Sequence, residues 1–125
     1  MFNNKVLVLH SADSSARAET FKKWLKNQGF SASNVHDLNR SESESVYRLL
    51  QRAIEEHDSV VILVSIGIFN SCVLRFGIGY ALGAGKKIVS VVKDTDRVIM
   101  PSWYTNLFEP IDSYDDAKIW SKLKK

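Results

Sequence analysis

One cysteine, Cys72, stands in the 125 residues, so neither an internal disulfide nor a multi-thiolate metal site can be built from this chain. Two prolines and six glycines leave no proline-rich or glycine-rich linker, and no repeat or low-complexity segment interrupts the pattern. The longest apolar run, Val60 to Val64, is far short of the roughly 20 residues that span a bilayer, and no charged, long apolar leader opens the sequence. An intracellular, cytoplasmic protein with no membrane partner is expected. Acidic residues are absent from Ser59 through Lys93, a stretch that holds Arg75, Lys86, Lys87 and Lys93, so that half of the fold should carry a positive field. The overall excess is small, with 17 basic against 14 acidic residues, and it is partly local because Lys118, Lys122, Lys124 and Lys125 crowd the C-terminus. It gives nucleic acid little to hold. At 45% hydrophobic and 25% charged residues the chain has globular composition, and its length predicts a single domain over residues 1–125.

Lys5-Val-Leu-Val-Leu9 and Ser59-Val-Val-Ile-Leu-Val-Ser65 are continuous apolar runs, the pattern of strands buried on both faces. Lys87-Ile-Val-Ser-Val-Val92 reads the same way, a shorter strand is expected around Phe30 to Val35, and Leu107-Phe-Glu109 is a candidate edge strand. Between them, Ala18, Phe21, Trp24 and Leu25 recur at helical spacing with Lys22, Lys23 and Lys26 outside, and Gly29 supplies a stop. Val46, Leu49, Leu50, Ala53 and Ile54 form a second apolar stripe, preceded by Ser41-Glu-Ser-Glu-Ser45, a cap and negative first turn or a solvated start. Phe69, Cys72, Val73, Phe76 and Tyr80 form a third, and Ala117, Trp120 and Leu123 mark a last helix over Asp115 to Lys124. Asp94 to Tyr104 reads as a long loop. Alternating strands and helices predict an α/β fold, a flavodoxin-like three-layer sandwich with a five-stranded parallel sheet in the order 2-1-3-4-5. Ligands of such sheets bind at the carboxyl ends of strands one and three, here His10 to Asp13 and Ser65 to Ser71.

Several phosphate chemistries that use this architecture fail on position. The first strand-to-helix turn, Ser11-Ala-Asp-Ser-Ser15, has no glycine, so it cannot be a dinucleotide fingerprint. Gly85-Lys86 resembles the end of a phosphate loop, but Tyr80 stands where a glycine is needed and a strand follows. A phospho-receiver would need acids where Leu9-His10 and Ser65 stand. His10, His36 and His57 lack metal-ligand spacing, so no metal is expected. His57 reads as a solvated helix-end residue and Cys72 as a packing residue on its stripe.

The sharpest feature is Asn70-Ser-Cys-Val-Leu-Arg-Phe-Gly-Ile-Gly-Tyr-Ala-Leu-Gly-Ala-Gly-Lys-Lys-Ile-Val89. It resembles the corresponding segment of bacterial-type Toll/interleukin receptor (TIR) domains and of the related nucleoside 2-deoxyribosyltransferases. The strand-one ending Leu9-His-Ser-Ala-Asp13, the Asp37 loop and Ala53-Ile-Glu-Glu-His-Asp-Ser-Val-Val-Ile-Leu-Val-Ser65 extend the resemblance over nearly the whole chain. Enzymes of both families cleave the bond between a ribose carbon and a base nitrogen, and NAD is the usual TIR substrate. That chemistry needs a carboxylate beside the sugar. In the resemblance it is a glutamate directly before Ile-Gly-Tyr-Ala, where this chain has Gly77, and the usual tryptophan four residues earlier is Val73.

The expectation is a TIR-like signalling or defence domain, catalytically degenerate at Gly77, that requires no cofactor and binds NAD or a related nucleotide, associates with TIR-like domains, or both. The alternative is an active N-glycosidase using an acid from elsewhere. Candidate ligand residues are His10, Ser11, Asp13, Asp37, Ser65, Asn70, Ser71 and Arg75. Asp13 reads more simply as a helix cap and Asp37 as a loop or turn residue. Gly77, Gly79 and Gly83 on one helix cost about 1 kcal/mol each relative to alanine, which close packing on the sheet or close approach to a ligand would offset. Association is expected through His36 to Glu44 and the helix from Phe69 to Tyr80.

Overall fold

A strand whose side chains are apolar on both sides must find a helix layer for each side, and Ser59–Val64 (β3), buried at every position, does so at the centre of the sheet. A computed structural model describes residues 4–35, 44–93 and 99–124. Lys5–Leu9 (β1), Ser31–Asn34 (β2), β3, Lys87–Val92 (β4) and Pro110–Asp112 (β5) form one parallel sheet in the order β2-β1-β3-β4-β5. The α/β architecture and strand order are those expected from the pattern of runs. Register is fixed by pairs such as Val6 with Ser59 and Val60 with Ile88.

The pleat divides the core in two. Val6, Val8, Val61, Leu63, Val89 and Val91 face Ala18 and Leu25 of Ser15–Asn27 (α1) and Ile119 and Leu123 of Asp116–Lys124 (α6). Leu7, Leu9, Val60, Ile62 and Val64 face Leu50, Ala53 and Ile54 of Val46–Glu56 (α2), and Ile78 and Ala81 of Cys72–Gly83 (α4). Each fully buried Leu, Ile or Val side chain contributes about 1.5–3 kcal/mol relative to exposure. The short helices Ile66–Asn70 (α3) and Ser102–Leu107 (α5) lie on this second face, where buried Tyr104 meets Ser90 Oγ of β4 at 2.5 Å.

Several local expectations are corrected. The third helix is two: Ser71 leaves helical geometry and its hydroxyl accepts from Leu74 N, ending α3 and capping α4. This rotates Cys72 to the exposed face, so it is not a packing residue. The expected loop to Tyr104 contains α5, and the edge strand lies at Pro110–Asp112 rather than Leu107 to Glu109, because a proline opens an edge strand without breaking a ladder. Lys22 is buried rather than outside, with its ammonium paired to Glu19 at 3.1 Å. Gly29, at φ 94°, stops the first helix as expected. Ser45 caps α2, accepting from Arg48 N at 3.2 Å. Residues 36–43, with Asp37 and most of the expected association loop, lie outside the described residues, as do 94–98.

Candidate active-site cleft

At the point where the strand order reverses, the end of β1 and the turn after β3 meet through three short side chains. Ser11 Oγ lies 2.7 Å from Ser65 Oγ, and the Asp13 carboxylate accepts from the Ser11 hydroxyl and, at 3.2 Å, from Ser65 Oγ. Two hydroxyl protons thus serve three contacts. The Ser11 hydroxyl, then the Ser65 hydroxyl and the Asp13 and Gly67 backbones, hold the Asp13 carboxyl below its ordinary range against a smaller opposing effect of desolvation. Asp13 is therefore an ionised, exposed group that ties two strand ends together. Neither Ser11 nor Ser14, the residues at the N-terminal caps of the following turn and helix, makes a side-chain cap, and Asp13 is spent on the β3 turn, so its expected role as a cap is corrected.

Gly67 is what lets the turn come so close. A Cβ on it would stand 2.8 Å from Ser11 Oγ and 3.1 Å from Asp13 Oδ1, nearer than side chains pack.

Asp13 stands at the edge of a cleft of about 510 Å³ that gathers His10, Ser11 and Ser71 with apolar Val46, Leu50, Val73 and Leu74. His10 Nδ1 is 2.9 Å from the Ser11 carbonyl and donates to it, and Nε2 lies 3.2 Å from Asn34 Nδ2. These two contacts fix the plane of the imidazole, whose ring stands in the cleft wall. Of the expected ligand residues, His10, Ser11, Asp13 and Ser71 line this cleft, and Ser65 stands behind Ser11 and Asp13. Asn70 and Arg75 are exposed and do not line it, and Arg75 Nη2 instead lies 3.4 Å from Cys72 Sγ.

Gly77 is buried, but against α2 rather than the sheet. A Cβ there would lie 2.7 Å from Leu50 Cδ2, and Leu50 is 1% exposed and itself lines the cleft. Leu50 thus packs on position 77 and also lines the cleft, and a side chain at 77 would have to shift it. Gly79 and Gly83 have nothing within 4 Å, so the expected common packing reason does not extend to them. His57 also departs from expectation. It is 3% exposed, with Nδ1 donating to the Ala53 carbonyl at 2.6 Å, and burial pushes its pKa down.

Among the described residues no helix is long and apolar enough to cross a membrane. The chain is similar in structure to the TIR domain of the Toll-related receptor TRR-2 of Hydra magnipapillata, with a TM-score of 0.79 at 12% identity over 96% of this chain and 98% of that one. It is also similar to the CMP N-glycosidase BcmB of Clostridium botulinum, with a TM-score of 0.67 at 19% identity over 96% of this chain and 98% of that one. None of the curated proteins matches it in sequence. Residues 7–97 match the family model of the Thoeris protein ThsB, TIR-like domain. With the sheet order, the strand-end cleft and this match over most of its length, the chain belongs to the ThsB TIR-like domain family.

Proposed function

We propose that this is a cytoplasmic TIR-like signalling or defence domain that binds a nucleotide of the NAD type in the cleft beside Asp13 without cleaving it. The observation that supports this reading is Gly77 itself, packed against Leu50 at the position where the resemblance requires a glutamate. What remains is a binding surface. The apolar side chains Val46, Leu50, Val73 and Leu74 offer a wall for a base, and Asp13, Ser11 and Ser71 offer acceptors and donors for sugar hydroxyls. No other carboxylate among the described residues lines this cleft, so a second acid for proton transfer would have to come from outside them.

The alternative, an active N-glycosidase, is supported by the same Asp13. An ionised carboxylate at the edge of a nucleotide-sized cleft can stabilise an oxocarbenium-like sugar. Titration calorimetry with NAD, paired with chromatography for released nicotinamide, separates the two. Saturable heat without release supports binding alone. Release proportional to protein and lost in Asp13→Asn establishes cleavage and overturns the leading reading.

Association with other TIR-like domains is the second half of the proposal. It is supported by exposed Phe76 and Leu82 on α4 beside Tyr47 of α2, whose ring meets Phe76 edge-on at 5.3 Å. Sedimentation velocity over a concentration series should show self-association weakened by Phe76→Ser.

A further inference from the structure

We propose that Arg17, on the opposite face of the sheet from the first cleft, is the positioning residue that sets the Asp13 carboxylate, acting through the peptide between Val64 and Ser65. Its part in ligand binding rests on the first cleft being the nucleotide site; the clamp itself does not.

Arg17 is half-buried in the first turn of α1. It lines a groove of about 650 Å³ between α1 and the β5–α6 turn, with Trp24, Lys93, Tyr114 and Asp116, and it does not line the first cleft. Asp13 stands at the boundary of both. The Arg17 guanidinium donates from Nη1 to the Val64 carbonyl at 3.0 Å and from Nη2 to the Val91 carbonyl at 3.3 Å, so it spans the neighbouring strands β3 and β4 near their carboxyl ends. A planar fork takes two carbonyls of different strands in one fixed geometry, whereas a lysine ammonium is a point charge on a flexible stem.

The first of those carbonyls belongs to the residue directly before Ser65. The peptide unit is planar, so fixing the direction of the Val64 carbonyl places the Cα of Ser65 and leaves few torsions between the guanidinium and the Ser65 hydroxyl. That hydroxyl lies 2.7 Å from Ser11 Oγ and donates to Asp13 Oδ1 at 3.2 Å. Asp13 precedes Arg17 by four residues, across the turn Ala12–Ser14 and the first turn of α1. The chain and the hydrogen bonds therefore close a ring, from Arg17 to Val64, Ser65 and Asp13 and back to Arg17. A carboxylate held in one orientation before a sugar hydroxyl arrives has less freedom to lose on binding. Arg17 thus serves the first cleft from behind the sheet.

The test is a carbon-13 titration of the Asp13 carboxyl in Arg17→Lys, which keeps the charge and loses the fork. The other titratable residues that line the two hollows with Asp13, His10, Lys93, Tyr114 and Asp116 among the described residues, are kept in every variant. The parent midpoint lies below 3.8, and in Arg17→Lys it should rise toward that value as the Ser65 bond loosens. Ser65→Ala should raise it as well, and Arg17→Lys added to Ser65→Ala should raise it no further. Calorimetry with NAD should show affinity at least ~3-fold weaker in Arg17→Lys. An unchanged Asp13 midpoint in Arg17→Lys overturns the proposal. So does an equal rise when Ser65 is already alanine, because Arg17 would then act on Asp13 directly. Should Arg17→Lys fail to fold, the parent and Ser65→Ala decide: the Arg17 guanidinium resonances should follow the Asp13 titration in the parent and not in Ser65→Ala, and any other pattern overturns the clamp. A parent that binds no NAD defeats the nucleotide reading, whereas the titrations decide the clamp without a ligand.

Discussion

The cleft on the α2/α4 face and the groove on the α1/α6 face share one sheet edge and one residue, Asp13, yet they are built from opposite materials. The first is walled by aliphatic side chains, Leu50 among them, and Asp13 is the only carboxylate among the described residues that line it. The second holds Arg17, Lys93 and Asp116 among aromatic rings. The difference comes from the helices. Strands β1, β3 and β4 present aliphatic side chains to both faces alike, whereas α4 comes from the acid-free stretch and α1 and α6 do not. A doubly covered parallel sheet therefore leaves chemistry to the layers that cover it.

The largest effect is expected at the contact that defines the first face. Gly77→Glu should destabilise the fold by at least about 3 kcal/mol in urea unfolding, because it drives a charged side chain into a buried Leu50. In a Leu50→Ala background the same substitution should cost less than the sum of the two single changes, a coupling that a double-mutant cycle reads directly. Additive costs would mean that Leu50 is not what a side chain at position 77 meets.

Gly67→Ala should cost about 1–3 kcal/mol, since its Cβ would press on Ser11 and Asp13 and force the β3 turn away. A crystal structure of that variant should show the Ser11–Ser65 contact longer than its present 2.7 Å.

Acid should act next. His57 has its folded pKa pushed below its ordinary 6.5, so protons bind the unfolded chain better; stability is full above pH 6.5 and falls as pH drops through the folded value. The slope is at most about 1.4 kcal/mol per pH unit and applies only between the folded and the ordinary value. Asp13 adds a second loss at lower pH, because its stabilising bonds to Ser11 and Ser65 disappear as it protonates through a pKa below 3.8. His57→Gln should abolish the first step and keep the second, read from unfolding midpoints between pH 7 and 3.

The smallest effect is a gain. Gly79→Ala, with open space around its Cβ, should stabilise α4 by about 0.5–1 kcal/mol in the same unfolding assay, opposite in sign to Gly77 two residues away.

Strands and their order were legible because β1, β3 and β4 are apolar without alternation, which only a doubly covered parallel sheet explains. The break at Ser71 was not, since apolar positions continue at helical spacing on both sides of it and a serine cap looks like any surface serine. Tyr104 hid α5 in the same way: beside Trp103 and after Pro101 it reads as loop, and only its bond to Ser90 shows that it enters the core. At the site, Ser11, Asp13 and Ser71 were readable from their place after strands, which the topology fixes. Leu50 was not, because its meeting with Gly77 is made between two helices and leaves no mark on the spacing of either. His57 sits among charged Glu55, Glu56 and Asp58, so composition placed it in water while the turn into β3 buries it.

The sheet order also sets the sequence of events by which the chain folds. β1 is flanked by β2 and β3, and its pairing of Val6 with Ser59 closes a loop that includes all of α1, β2 and α2. The entropy of that closure must be met before any of the central ladder's bonds form. A growing chain therefore has no partner for the inner edge of β1 until β3 has been synthesised, and through that interval the backbone N–H and C=O groups along that edge are open to water or to a chaperone.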